Sequence, residues 1–425
     1  MEKSYVIICG KLFDGKRAEL LSSMEILVEG KIIKEVGRNL SRPQSAEVVD
    51  LSHLTVTPGM IDAHMHSDML DWTQFASNFN HSSEWFTLSH LHTAQRCLER
   101  GFTTIRTFNI NVKGFGLIDV KRMINAGYFP GARMVVSGHM LGSTGSHGDM
   151  TQNLSGNPDL ADAATGAGIG NGVEFFREAV RREVKYGSDC IKIMLSGGFF
   201  TPNDTPVDQQ LSDEELSTII STARGLRKPV TAHVYHPPLM QKLVEFGITG
   251  LEHASMMDEE TAEMIEKAGI YVVPTFSPYD EIIRADEENL AKKPPEFQAK
   301  LREYSDKLIS GRDVIINSKI KLGYGSDFVT VHQCYESWYE YDSWLKSGVD
   351  PFRALKAATS VNSEILELSN YIGSIEPGKY ADIAAWSKDL LNESDALSEC
   401  VFVMKEGKIY PALHGKNNVD MNIIL

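Results

Sequence analysis

The sequence predicts an α/β protein, a (β/α)8 barrel with a small β-sandwich built from both chain ends. Three observations predict it. From Gly59 to Ser326, eight strand-like runs alternate with helical stretches. The stretch up to residue 56 and the stretch after Leu368 both have β texture, with too few strands at either end to bury two faces alone. No Gly-x-Gly-x-x-Gly follows any strand, which disfavours the alternative, a doubly wound open sheet. The expected division is 1–57 and 369–425 for the two parts of the sandwich and 58–368 for the barrel.

Taken in order, Tyr5–Cys9, Glu25–Val28, Lys31–Val36 and Glu47–Asp50 are short and rich in β-branched residues, with turns at Asp14-Gly15 and Glu29-Gly30. The barrel strands are expected at Gly59–His66, Thr103–Thr107, Arg133–Ser137, Asp189–Leu195, Val230–Val234, Thr249–His253, Tyr271–Thr275 and Lys319–Ser326. Helical patterns fall at Phe86–Arg100, Val173–Tyr186, Asp213–Arg227, Glu259–Ala268 and Glu296–Asn317, with a last helix from Pro351 to Leu368. Ser212 with Glu215 reads as a capping box. Ser143–Asn171 and Pro278–Pro295 read as long loops after barrel strands, where lids and substrate loops sit. Lys379–Trp386 and Val401–Met404 return to strand.

Composition narrows the function class. The chain has 425 residues, 42% hydrophobic and 23% charged, ordinary for a soluble protein with a large core. Its 42 basic and 57 acidic residues leave a net charge of −15, which argues against a nucleic-acid partner. No apolar run approaches a membrane span, and the N-terminus lacks a signal-type apolar stretch. The five cysteines (Cys9, Cys97, Cys190, Cys334, Cys400) are scattered without a Cys-x-x-Cys, so they read as reduced thiols of a cytoplasmic protein.

In a barrel, chemistry gathers where strands end at their carboxyl side. His64 and His66 share one face there, since side chains alternate along a strand. The other expected strand ends carry Lys192, His233, His253 and Asp327. Each alone has a bland reading: a salt-bridged lysine, a satisfied core histidine, a helix cap. Together, four histidines and a carboxylate are the donor set of Zn²⁺ or a similar divalent ion. A neutral lysine amine can react with CO₂ to form an anionic carbamate, which can bridge two ions. Such ions, about 3.5–4 Å apart, hold a hydroxide and polarise a carbonyl. Asp327 is then the natural proton shuttle.

The sequence resembles the amidohydrolase superfamily. Gly59-Met60-Ile61-Asp62-Ala63-His64-Met65-His66 resembles its opening motif, and Gly373-Ser374-Ile375-Glu376-Pro377-Gly378-Lys379-Tyr380-Ala381-Asp382 the tail where its β domain resumes. The resemblance covers essentially the whole chain. It implies a distorted TIM barrel with a binuclear centre of two divalent ions, Zn²⁺ foremost. His64 and His66 would hold one ion, His233 and His253 the other, carboxylated Lys192 would bridge, and Asp327 would be ligand and general base.

Within the superfamily the chain is similar to the Xaa-Pro dipeptidase-like and carboxypeptidase-like branch related to imidazolonepropionase. The shared stretches are Ser137-Gly138 through Thr144-Gly145-Ser146-His147-Gly148-Asp149, Met194-Leu195-Ser196-Gly197-Gly198, and His233-Val234-Tyr235. By this likeness His147 would contact the substrate and Tyr235 would hydrogen-bond the developing oxyanion. Two features depart from the branch: Arg106-Thr107-Phe108-Asn109 replaces its Arg-Asp-glycine run, and Trp72, Phe75, Phe79, Trp85 and Phe86 crowd the loop after His66. Both are expected to alter the pocket edge, and packing against the next helix is the alternative for the aromatics.

The expected function is metal-dependent hydrolysis of an amide bond in a dipeptide or N-acyl amino acid. A cyclic amide, lactone or phosphoester would use the same ligand ring, and a non-catalytic binding protein is the remote alternative. The exact substrate, the physiological metal and the oligomeric state stay open, a homo-oligomer among the options.

Overall fold

The computed structural model describes residues 3–68, 80–109, 114–154, 156–329 and 335–415. Strands from both ends of the chain join in one eight-stranded sheet. Its backbone is the parallel pairing of Ser4–Leu12 with Ala46–Pro58, a strand that continues well past the expected Glu47–Asp50. From the far end of the chain, Ile383–Trp386 pairs antiparallel with Ala46–Pro58, and Cys400–Lys405 pairs with Ile383–Trp386. Where a sandwich is expected, the end strands thus share a single hydrogen-bonded sheet.

The middle of the chain forms two parallel sheets. Met60–Met65, Phe102–Phe108 and Arg133–Ser137 make one of three strands. Met140–Leu141, Ile191–Met194, Val230–Val234, Gly250–His253 and Tyr271–Val273 make one of five. These strands are buried residue by residue, not on alternate positions, because helices cover their outer faces. The helices begin and end where local chemistry dictates. Ser212 and Glu215 form the expected capping box of Asp213–Gly225. Gly247 and Gly269 close Pro237–Phe246 and Glu259–Ala268 in the left-handed conformation, at φ 73° and 69°.

Three expectations are corrected. Lys319–Ser326 is not a strand, and its ladder contact is one bridge, Leu322 with Val272. The segment instead lies between Tyr271–Val273 and Met60–Met65 on separate hydrogen bonds: Ala63 N–H to Tyr324 O at 2.8 Å and Asp327 N–H to His64 O at 2.7 Å. Asn362 takes over the remaining pairing, donating from Nδ2 to Ile61 O and Tyr324 O and accepting Tyr324 N–H. Glu296–Asn317 is two helices, Pro295–Glu303 and Ser305–Asn317. Pro351–Leu368 is broken by a π-helical stretch at Ala357–Val361, just before Asn362.

Trp386 ties the end sheet to the parallel sheets. It is fully buried, and its Nε1–H donates to Thr57 Oγ1 at 2.9 Å. Its ring leaves no room for a side chain at Gly101, where a Cβ would lie 2.8 Å from Cη2. Trp386→Ala is expected to lower stability by about 3–5 kcal/mol through the cavity left behind, read from the midpoint of chemical denaturation.

Among the described residues no helix is long and apolar enough to cross a membrane. Cys9, Cys190 and Cys400 are buried free thiols and Cys97 is buried, while Cys334 lies outside the described residues.

Candidate metal centre

One cavity collects the site. His64, His66, His147, Lys192, His233, Tyr235, His253 and Asp327 all line it, although they come from widely separated stretches of chain. Its remaining wall is apolar, with Met140, Met150, Met194, Phe200, Pro278 and Val329.

The histidine rings are oriented by what their other nitrogen meets. His66 Nδ1 lies 2.9 Å from the Phe108 carbonyl, which can only accept, so this nitrogen carries the proton. His64 Nδ1 lies 2.6 Å from Glu252 Oε2. In the neutral rings Nε2 is then a lone pair, and both Nε2 atoms stand 3.1 Å from Asp327 Oδ1. His64 Nε2 is buried and makes no hydrogen bond despite that proximity. An orphaned ring nitrogen beside a carboxylate fits a cation better than a hydrogen bond. His64, His253 and Asp327 each bring a donor atom within 4.8 Å of one another, and together they could hold a metal ion. His253 Nδ1 lies 2.8 Å from Thr275 Oγ1 and 3.7 Å from Asp327 Oδ2. The His233 ring packs edge-on to His253 with centroids 4.7 Å apart.

His253 and Asp327 sit at φ 68° and 56°, and Thr275 at 46°. Left-handed backbone at non-glycine residues costs on the order of 1 kcal/mol or more each and concentrates at functional sites.

Electrostatics follow from burial. Burial pulls the Lys192 ammonium down to about 8, against the pull of Glu252 and Asp327. Burial alone would raise Asp327, but the neighbouring His64 and His253 outweigh it and hold the carboxyl well below the usual range. Burial, with neighbouring positive charge, holds His233 well below the ordinary imidazole value, and burial lowers His253 likewise against the pull of Asp327.

Beneath the ring lies a buried carboxylate, Glu252, to which the sequence alone assigned no role. Glu252 accepts from His64, from Arg106 Nη2 at 2.6 Å and from Thr231. Burial opposes its charge, and Arg106 and His64 hold it ionised. Arg106 also donates to the Ala63 carbonyl at 2.5 Å and to Tyr271 Oη at 2.8 Å. The signal was present: a glutamate and an arginine in buried strands must be paired. The expected effect of Arg106-Thr107-Phe108-Asn109 on the pocket edge is corrected, since these residues are buried and none lines the cavity. Phe108 packs beside two of the cavity residues, its centroid 4.9 Å from that of His64 and 4.7 Å from Lys192 Nζ.

Of the loop aromatics, Trp85 stacks on His81 and Phe86 is buried in helix Ser83–Glu99, so neither lines the cavity. Trp72, Phe75 and Phe79 lie outside the described residues. Tyr235 Oη meets Tyr279 Oη at 2.6 Å, and burial raises the Tyr235 hydroxyl well above its ordinary value. His147 stacks on His233, with centroids 4.4 Å apart and planes 21° apart.

The chain is 28% identical to ochratoxinase from Aspergillus niger over 434 aligned positions, covering 96% of this chain and 87% of that protein. A solved Xaa-Pro dipeptidase with methionine bound in its active site superposes with a TM-score of 0.84 at 25% identity, covering 96% of this chain and 100% of that one. A prolidase complexed with N-methylphosphonate-L-proline gives 0.82 at 26% identity, covering 96% and 99%. The profile of the Amidohydrolase family matches residues 55–413, and the chain belongs to that family.

Proposed function

We propose that this member of the amidohydrolase family is a metal-dependent hydrolase that cleaves the amide bond of a dipeptide or an N-acyl amino acid. One observation carries the proposal: four imidazoles, a lysine and a carboxylate converge on one cavity from widely separated stretches of chain. The relatives named as ochratoxinase, Xaa-Pro dipeptidase and prolidase support an amide substrate.

In this reading His64 and His66 would hold one divalent ion and His233 and His253 a second, with Lys192 as its carbamate and Asp327 supplying the anionic oxygen donors. Zn²⁺ suits these donors. When bound, the ions lower the pKa of water and polarise the amide carbonyl. Asp327 is ionised and within reach of three histidines, so it can take a proton from the attacking water and pass it to the leaving amine. When Tyr279 donates into its contact with Tyr235, the Tyr235 hydroxyl proton is left for the developing oxyanion. His147 contacts the substrate. The same reading closes the parallel strands into a barrel over 58–368, with 1–57 and 369–425 as one β unit beside it. Buried free thiols support a reducing, cytoplasmic setting.

The test is a dipeptide and N-acyl amino acid library assayed with enzyme of measured metal content. Turnover of at least one member, lost with the metal, is expected; metal-loaded enzyme inert toward the whole library would overturn the reading.

Glu252 has a part in this scheme. By accepting from His64 Nδ1 it keeps Nε2 free for the ion. Glu252→Gln is expected to weaken metal affinity about 10- to 100-fold, measured by chelator competition.

A further inference from the structure

The long segment after strand Tyr271–Val273 folds over the cavity. Its Tyr279, Leu290, Phe297, Leu301 and Tyr304 pack with Phe199 and Tyr235 in one apolar cluster. One polar side chain from this cover, Lys300 on helix Pro295–Glu303, reaches inward. We propose that Lys300, acting through Asp204 and Thr201, holds His147 in a single tautomer with Nε2 presented to the cavity, and is a positioning residue for substrate binding. This rests on the reading above that His147 meets the substrate.

The proton order follows from counting donors. Lys300 Nζ lies 2.8 Å from Gly198 O, 2.5 Å from Thr201 O and 3.0 Å from Asp204 Oδ1, which uses all three ammonium protons. An ionised carboxylate only accepts, so the Thr201 hydroxyl proton points to Asp204 Oδ1 at 2.6 Å. Thr201 Oγ1 then has only lone pairs to offer His147 Nδ1, at 2.7 Å. His147 Nδ1 therefore carries a proton, and in the neutral ring Nε2 is the free nitrogen. Asp204 is ionised because its contacts with His147, Thr201 and Lys300 outweigh its burial.

The surroundings leave the ring one place to be. A Cβ at Gly198 would lie 2.2–2.7 Å from His147 ring atoms, so the second glycine of Ser196-Gly197-Gly198 clears the space it occupies. His233 stacks on one face. Gln210 accepts the His147 backbone N–H at 2.8 Å and donates to Asp204 Oδ2 at 3.2 Å, so it joins the loop to the relay. Lys300 thus links the cover to the loop that carries His147.

The test uses the full chain and an amide that it cleaves. Lys300→Met keeps the aliphatic stem and removes the ammonium. KM is expected to rise about tenfold with kcat within threefold and metal content unchanged. Thr201→Val removes the relay hydroxyl without touching the cover and is expected to give the same split. Histidine ¹⁵N spectra recorded without substrate report the tautomer independently of which amide is cleaved. They should show His147 protonated at Nδ1 in the parent and redistributed towards Nε2–H in Thr201→Val. A parent His147 protonated only at Nε2, or an unchanged KM in whichever variant folds, would overturn the proposal.

Discussion

Asp327→Asn is expected to reduce kcat/KM about 10³-fold, the scale of a lost proton-transfer group. The substitution keeps the shape of the side chain, and asparagine tolerates the left-handed backbone at φ 56°. What it removes is the anion that faces His64 Nε2, His66 Nε2 and His253 Nδ1, and with it the ability to receive a proton. Metal analysis of the variant separates two routes to the loss. Retained metal with slow turnover assigns Asp327 to proton transfer, and lost metal assigns it to ligation. Turnover equal to the parent's would remove Asp327 from the chemistry.

Chelation should abolish activity, by about 10³-fold or more, since in the proposed scheme the ions would supply both water activation and carbonyl polarisation. Zn²⁺ alone should restore little in CO₂-depleted buffer, and Zn²⁺ with bicarbonate should restore most of it, because the bridging reading needs Lys192 as a carbamate. Only the neutral amine reacts with CO₂. With burial lowering Lys192 to about 8, about one amine in ten is neutral at pH 7, against about one in three thousand at the ordinary value. With dissolved CO₂ held constant, raising pH from 6 towards 8 should therefore speed reactivation and further increase should add little, followed as recovered activity over time. Lys192→Met should not respond to bicarbonate. Full recovery of the parent by Zn²⁺ in CO₂-free buffer would count against the carbamate.

Much of the site could be read before any contact was known. His64, Lys192, His233 and His253 sit in short apolar runs, where a polar side chain interrupts residues that otherwise bury completely. The strand alternation that makes His64 and His66 neighbours is a property of extended backbone. Element boundaries were less legible. Lys319–Ser326 has strand composition, yet Gly325 sits so close to His64 and Val273 that a Cβ there would clash, and Asn362 supplies pairing that a ladder would have made. The break at Tyr304 inside Glu296–Asn317 carried no Gly or Pro to mark it.

The sequence by itself determined which side chains can bind cations or move protons and where most of the strands lie. It did so because residue chemistry and backbone periodicity are local. Only the tertiary structure decided that Glu252 faces both His64 and Arg106, that Asp327 stands 3.1 Å from two imidazoles, and that Lys300 reaches Asp204 from another layer of the fold. Those pairings join residues some 100 to 260 positions apart, and hydrogen-bond partners at that range are chosen by how the layers pack, which no local pattern encodes.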